Sequence, residues 1–333
     1  MADAQAMIER AARIADEVLW PQALAVDVAD RVPSGHLDLL AAEGFYGVAR
    51  DLGVADLATA GAILEAFAGG CLATAFVWLQ HHGPLIATMV SAQPGLRERW
   101  VAPLSKGEIR AGIALAGLAP AADLRVERSA EGYRLTGEIP WVTGWDLIDV
   151  VQVGARDDAG DIHFLLVDAT AGPTLQVGPL HLVAAQASRT VTLRFTGHPV
   201  PADRLTGTQP YADWSRANAA GSALNGFLAI GVAARCCRLL GPGPLDAEVD
   251  ECRAALLRAD SRSTPAARAA ASEVAYRAAE ALAVHVGSRA VLSGNPAQML
   301  AREAMFLLVF GSRPAIKAEL AARISRPGRS AGR

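Results

Sequence analysis

"GYRLTGEIPWVTG", residues 132–144, decides how the chain divides. It is strand-like up to Pro140 and ends in a turn, and Trp145 follows directly. Two tryptophans thus stand four apart with Thr143-Gly144 between them, in a chain that has only six Trp. A tryptophan at a strand end has two readings, packing into a core or walling a flat ligand, and this stretch alone allows both.

Working outward, β-branched segments of strand length surround it: "DVVQVGAR", "IHFLLVDA", "PTLQVGPL" and "RTVTLRF". Turn signals such as Glu131-Gly132, "RDDAGD" and "TAGP" separate them, and "HPVPADRL" closes the region. Residues 111–207 therefore read as an antiparallel β domain. Residues 1–110 read as a helical domain. An apolar stripe runs through Ile8, Ala12, Ile14, Val18 and Leu19, a helix opens at Ser34 and stops at Gly44, and two apolar helical runs cover 55–70 and 72–92. Residues 208–325 return to helix: one over 214–240, broken by "GPGP" at 241–244, then 245–259, 265–292 and 297–324. Residues 326–333 read as a disordered tail. Helices, then strands, then helices make an α+β chain and not a βαβ alternation.

Composition narrows the class. Of 333 residues, 52% are hydrophobic and 20% charged, which excludes a disordered chain. Net charge is −3 and the arginines are scattered, so no phosphate-backbone footprint exists and nucleic acid is not an expected partner. No apolar run reaches bilayer length and the first residues are not a signal peptide, so a cytoplasmic protein without membrane attachment is expected. The four cysteines have neither disulfide-framework nor metal-ligand spacing, and no metal is expected. "GPGPLD" carries prolines inside a glycine pattern and fails as a dinucleotide fingerprint, and no P-loop, H-E-x-x-H or G-x-S-x-G occurs.

The helix–strand–helix order and "GYRLTGEIPWVTG" together resemble the acyl-CoA dehydrogenase superfamily, flavoproteins with a helical domain, a middle β domain and a C-terminal four-helix bundle. "SRTVTLRFTGHPVPADRL" (188–205) and "LAREAMF" (300–306) are similar to two further family stretches. The resemblance covers nearly the whole chain, with a shortened bundle. It implies a flavin, FAD with FMN as the alternative, stacked on Trp141 and hydrogen-bonded by Thr143, with Val142 and Gly144 completing the segment. A flat apolar ring with a polar edge suits an aromatic wall, a few fixed donors and a glycine that admits close backbone approach.

The departures bear on the chemistry. The family's glutamate that removes the α-proton falls at Gly311, or at Phe310 with one residue missing. A second family location for that acid falls at Ser215, with Asp213 two residues away on the same helix. No general base stands where the reaction needs one. "LAGLAPAADLR" (115–125) lacks the family's Thr, Glu and Ser donors, and the Arg-x-x-Phe-Gly segment for the cofactor diphosphate has no counterpart in the shortened "GPGPLDAEVDE".

"FVWLQHHGPL" (76–85) is similar to the reduced-flavin monooxygenase branch, as is the stretch 15–49. His81 or His82 would then handle the proton that the glutamate does not; the other reading is a helix-end histidine bonded to carbonyls. Ser188 and Arg189 are substrate contacts or strand-edge residues. Three functions follow: a flavin-dependent oxidoreductase acting on an acyl-CoA or related small organic molecule, a catalytically degenerate partner of a heteromeric dehydrogenase, or a reduced-flavin monooxygenase. The family implies a homo-oligomer, or a heteromer with a related subunit.

Overall fold

The computed structural model describes residues 2–51, 56–118, 124–218 and 221–325. The segment 326–333, read as a tail, lies outside them, as does the middle of "LAGLAPAADLR".

The chain opens with α1 (Ala2–Ile14), which runs through a π turn at Ala15–Leu19 into α2 (Trp20–Asp27). Next come α3 (Ser34–Ala42), α4 (Val48–Asp51), α5 (Leu57–Gly70), α6 (Leu72–Met89) and α7 (Pro94–Lys106). Eight strands follow: β1 (Ala111–Ala114), β2 (Arg125–Ser129), β3 (Gly132–Val142), β4 (Val150–Arg156), β5 (Asp161–Asp168), β6 (Leu175–Pro179), β7 (Val191–Pro201) and β8 (Leu205–Pro210). The remainder is helical: α8 (Tyr211–Asn218), α9 (Gly226–Leu240), α10 (Pro244–Leu257), α11 (Thr264–Val286), α12 (Pro296–Val309) and α13 (Pro314–Ile324). The α+β order expected from sequence is the order observed.

Two compact units interleave along the chain. One takes Ala25–Asp56 and Ala73–Trp214. Its sheet runs β6-β7-β3-β2-β4-β5-β8, with β1 paired to β4. Pairing is mostly antiparallel, but β1 and β2 both run parallel to β4. β4 is buried from Val150 to Ala155 because apolar groups cover both of its faces. Val151 and Val153 meet Leu135, Ile139, Leu193 and Phe195 on one side. Val150 and Leu166 meet Leu85, Trp100 and Leu104 of α6 and α7 on the other. β8, not foreseen as a strand, pairs with β5 across Phe164↔Gly207.

The other unit takes Met1–Leu24, Leu57–Leu72 and the chain from Ser215 onward. α11 packs against α9, α10, α12 and α13, while α5 crosses α9. That crossing is close because it is made by glycines: a Cβ added to Gly231 would stand 2.3 Å from the Glu65 carbonyl oxygen and 2.9 Å from the Gly69 nitrogen. Arg235 on α9 donates to the Gly69 carbonyl and to Asp16, and Arg253 on α10 forms a forked pair with Glu65.

Three helix readings need correction. The helix expected over 214–240 is two, α8 and α9, since residues 221–225 leave helical geometry. The helix expected over 297–324 is also two. Gly311 at φ +57 turns the chain after α12, and Pro314 then opens α13. The run over 265–292 is α-helical only to Val286. The "GPGPLD" segment is a helix start: Pro244 occupies the first turn of α10 and the Asp246 carboxylate accepts the Gly243 N–H at 2.7 Å.

Candidate functional site

The opening stretch ends in a β-bulge. Ile139 pairs with Leu193 and Val142 with Val191, so β3 spends one residue more than β7 across that interval. Pro140, which has no N–H to give a ladder, sits at the bulge. Trp141 beside it takes a left-handed backbone, φ +64, and the residue is 59% exposed. Its neighbours turn inward: Val142, Thr143 and Gly144 are all buried, as is Trp145. Of the two tryptophans, one therefore serves the core and the other presents a bare indole.

The turn after β3 is held against the 185–190 loop. Gly144 N–H donates to the Ser188 carbonyl at 2.9 Å and Trp145 N–H to the Arg189 carbonyl at 3.1 Å. Beneath them runs a buried chain of hydroxyls, Thr143 Oγ1 to Thr190 Oγ1 at 3.1 Å and Thr190 Oγ1 to Ser188 Oγ at 2.9 Å. Arg189 reaches across both loops, with Nη1 on Asp30 at 3.0 Å and Nη2 on Asp146 at 2.5 Å. Among the described residues, the non-glycine positions with positive φ are Trp141, Asp146, Ala185 and Arg189, at the end of β3 or within these two loops. At the three positions other than Asp146 this costs roughly 1–2 kcal/mol each, and strain clustered in one place marks a site whose shape matters. Sequence reading missed Asp30, Asp146, Ala185 and Thr190; only Thr190, inside the "SRTV" stretch, was within reach of it.

The histidines of α6 differ sharply. His81 Nδ1 accepts the Ala111 N–H at 3.1 Å, which leaves the proton on Nε2 to donate to the Leu104 carbonyl at 3.0 Å. Both nitrogens are thus engaged, in the neutral tautomer, and burial holds His81 well below the ordinary histidine range. His82 lies edge-on to Trp78, with ring centroids 4.4 Å apart, and among the described residues neither ring nitrogen has a hydrogen-bond partner. Burial pushes its pKa down to about 4. Both rings are neutral at physiological pH. Among the described residues, no group of three or more His, Cys, Asp or Glu side chains is placed to hold a metal, and no helix is long and apolar enough to cross a membrane.

Residues 1–108 match the family described as "Acyl-CoA dehydrogenase, N-terminal domain". The whole chain superposes on solved enzymes. A glutaryl-coenzyme A dehydrogenase in complex with glutaryl-CoA matches with TM-score 0.84 and 16% identity, over 97% of this chain and 95% of that one. The butyryl-CoA dehydrogenase of Megasphaera elsdenii matches at 0.82 and 15%, over 97% and 98%. The chain has the acyl-CoA dehydrogenase fold. A glutaryl-CoA dehydrogenase from Mycobacterium smegmatis in complex with FADH2 shares this fold at TM-score 0.79 and 14% identity, over 100% of this chain and 96% of that one. Comparison with curated proteins gave no match.

Within the acyl-CoA dehydrogenase fold, the positions that the sequence resemblance assigned to the proton-abstracting acid hold Gly311, on the turn after α12, and Ser215, on α8. Asp213 is exposed on α8 and is two residues, about 200° of helical rotation, away from Ser215. Phe310 stacks on Phe306.

Proposed function

We propose that this chain is a flavin-dependent oxidoreductase acting on an acyl-CoA or related small organic substrate, with the flavin ring lying on Trp141. One observation carries the reading: a tryptophan left 59% exposed on a left-handed backbone, at the end of the stretch 132–144 that resembles the family's flavin-wall segment. An exposed tryptophan held at an energetic cost is a surface kept for a flat ligand. The residues fit the ring; FAD is the cofactor favoured by the fold, with FMN as the alternative. A flavin so bound would supply hydride and electron-pair acceptance. The protein's share is to wall one ring face with Trp141 and to fix that wall through Asp146, Arg189 and Asp30. The Thr143 hydroxyl faces Thr190, so its contribution is to brace the turn, and Ser188 does the same from the other loop.

Proton removal from substrate lacks a group at either acid position, since Gly311 has no side chain and the Ser215 hydroxyl is not a base at neutral pH. That supports the second reading, a degenerate partner of an active relative. For oxygen chemistry the pair gives little support, because His81 is committed to Leu104 and Ala111 and His82 is buried and neutral with a pKa of about 4. Purified protein incubated with FAD or FMN and then desalted tests the proposal. A visible flavin band near one flavin per chain is expected, and no retained flavin overturns it. Saturated acyl-CoA added anaerobically should leave that band unbleached, because loss of a general base removes about 10²–10⁴-fold of rate.

A further inference from the structure

Arg268 on α11 is only 2% exposed, yet among the described residues no carboxylate bonds to its guanidinium. Nη1 donates to the Ser222 carbonyl at 2.8 Å and Nη2 to the Phe310 carbonyl at 3.2 Å, while the buried Nε has no hydrogen-bond partner among the described residues. A second cation, Arg313, lies beside it and donates to Asn218 Oδ1 at 3.0 Å. Burial and the charge of Arg313 together push Arg268 down to about 10. Buried cations are normally paired, and like charges set together in a low dielectric are more costly still. The Phe310 carbonyl ends α12 and offsets part of the charge through the helix dipole, but it leaves hydrogen-bond donors over.

The Arg268 guanidinium and the Asn225 amide both face Gly311 at contact distance. A Cβ built on Gly311 would stand 3.6 Å from Arg268 Nη2 and 3.6 Å from Asn225 Nδ2, an uncrowded position with an N–H group on two sides. Gly311, Arg313 and Asn225 are half-buried rather than sealed. We propose that Arg268, Arg313 and Asn225 form an oxyanion site at the turn after α12, taking a carboxylate or a phosphate oxygen as the missing counter-ion. A planar fork of guanidinium donors suits either group. The site lies within the helical unit and does not depend on the flavin reading.

Thermal unfolding in low-salt buffer tests it, with sodium acetate and sodium phosphate as separate titrants and sodium chloride at matched ionic strength as control. The parent should show a saturable rise in Tm with one of the two oxyanions beyond the chloride response, and the effective one identifies the source. Gly311→Asp builds a carboxylate into the space, at a residue type that tolerates positive φ. It should raise Tm without added anion and weaken the titration at least about tenfold. Asn225→Asp supplies the charge from the residue just before α9 and should act alike, which keeps the test open if the first variant fails to fold. No response beyond chloride, or folded variants that titrate like the parent, would overturn the site and leave Arg268 as a helix-end cation.

Discussion

Replacing Trp141 separates two effects that the structure superimposes, backbone strain and a stacking face. About two-fifths of the residue is covered, since 59% is exposed. For a residue of about 250 Å² that is about 100 Å² of contact, or up to about 2.5 kcal/mol lost on truncation. Trp141→Ala and Trp141→Gly lose the same contact. They differ at φ +64, which alanine resists and glycine accepts. Glycine in a strand is ordinarily worse than alanine by roughly 0.5–1 kcal/mol; here the order should reverse, with the glycine variant more stable by about 1 kcal/mol. Flavin affinity should fall in both variants by the same 1–3 kcal/mol or so, roughly 5- to 150-fold in Kd. Urea unfolding of the flavin-free proteins and a flavin fluorescence titration read the two effects separately. An alanine variant more stable than the glycine one refutes the strain assignment, and unchanged Kd refutes the wall.

Three further outcomes follow from the packing. His82 falls from 6.5 to about 4 on burial, so between those pH values the unfolded chain binds a proton that the native chain does not. Its contribution is fully present above about pH 6.5 and is lost as pH falls toward about 4, by about 3 kcal/mol. His82→Phe should remove that part of the pH dependence of urea unfolding, while the similarly lowered His81 keeps a residual slope; a drop as steep as the parent's sinks the assignment. His81→Ala leaves the Leu104 carbonyl and the Ala111 N–H without their partner in the core, and should cost about 3–5 kcal/mol by the same measurement. If it costs under about 1 kcal/mol, His81 is not a bracket between α7 and β1. Gly231→Ala puts a methyl 2.3 Å from the backbone oxygen of Glu65, which cannot rotate away, so about 1–3 kcal/mol should be lost; a neutral change would mean that α5 and α9 separate freely.

How much was legible follows from where the determining contacts lie. The α+β order and the special status of 132–144 were readable because strand length, turn residues and helical periodicity are local signals. The helix breaks at 221–225 and 311–313 also carried local signals, Gly221 in one and Gly311 with Pro314 behind it in the other, but the apolar helical pattern on both sides masked them; Gly311 was noticed only as a lost acid and not as a turn. Trp141 could be singled out from its type, its neighbours and the family resemblance, but the bulge that exposes it depends on the register with β7, some fifty residues away. The histidines stood out by type, and sequence allowed both roles for each. Only the distances to Leu104 and Ala111 separate His81 from His82. Arg268 gave no signal at all, since a lone arginine in a helix ordinarily faces water or an acid.

The interleaving of the two units has a consequence for the order in which a ribosome can make them. The unit carrying the sheet is complete once Trp214 has emerged, so its long-range strand pairings can close while synthesis continues. α5 cannot do the same, although α1 is there to pack on it. Its other main partner, α9, begins some 150 residues after α5 ends, so at about 5–20 residues per second that face waits on the order of ten seconds for cover. The Gly-lined face of α5 that lets α9 approach so closely is thus a vulnerable surface on the nascent chain. Misassembly should arise there, between α5 segments of neighbouring nascent chains, sooner than at the sheet.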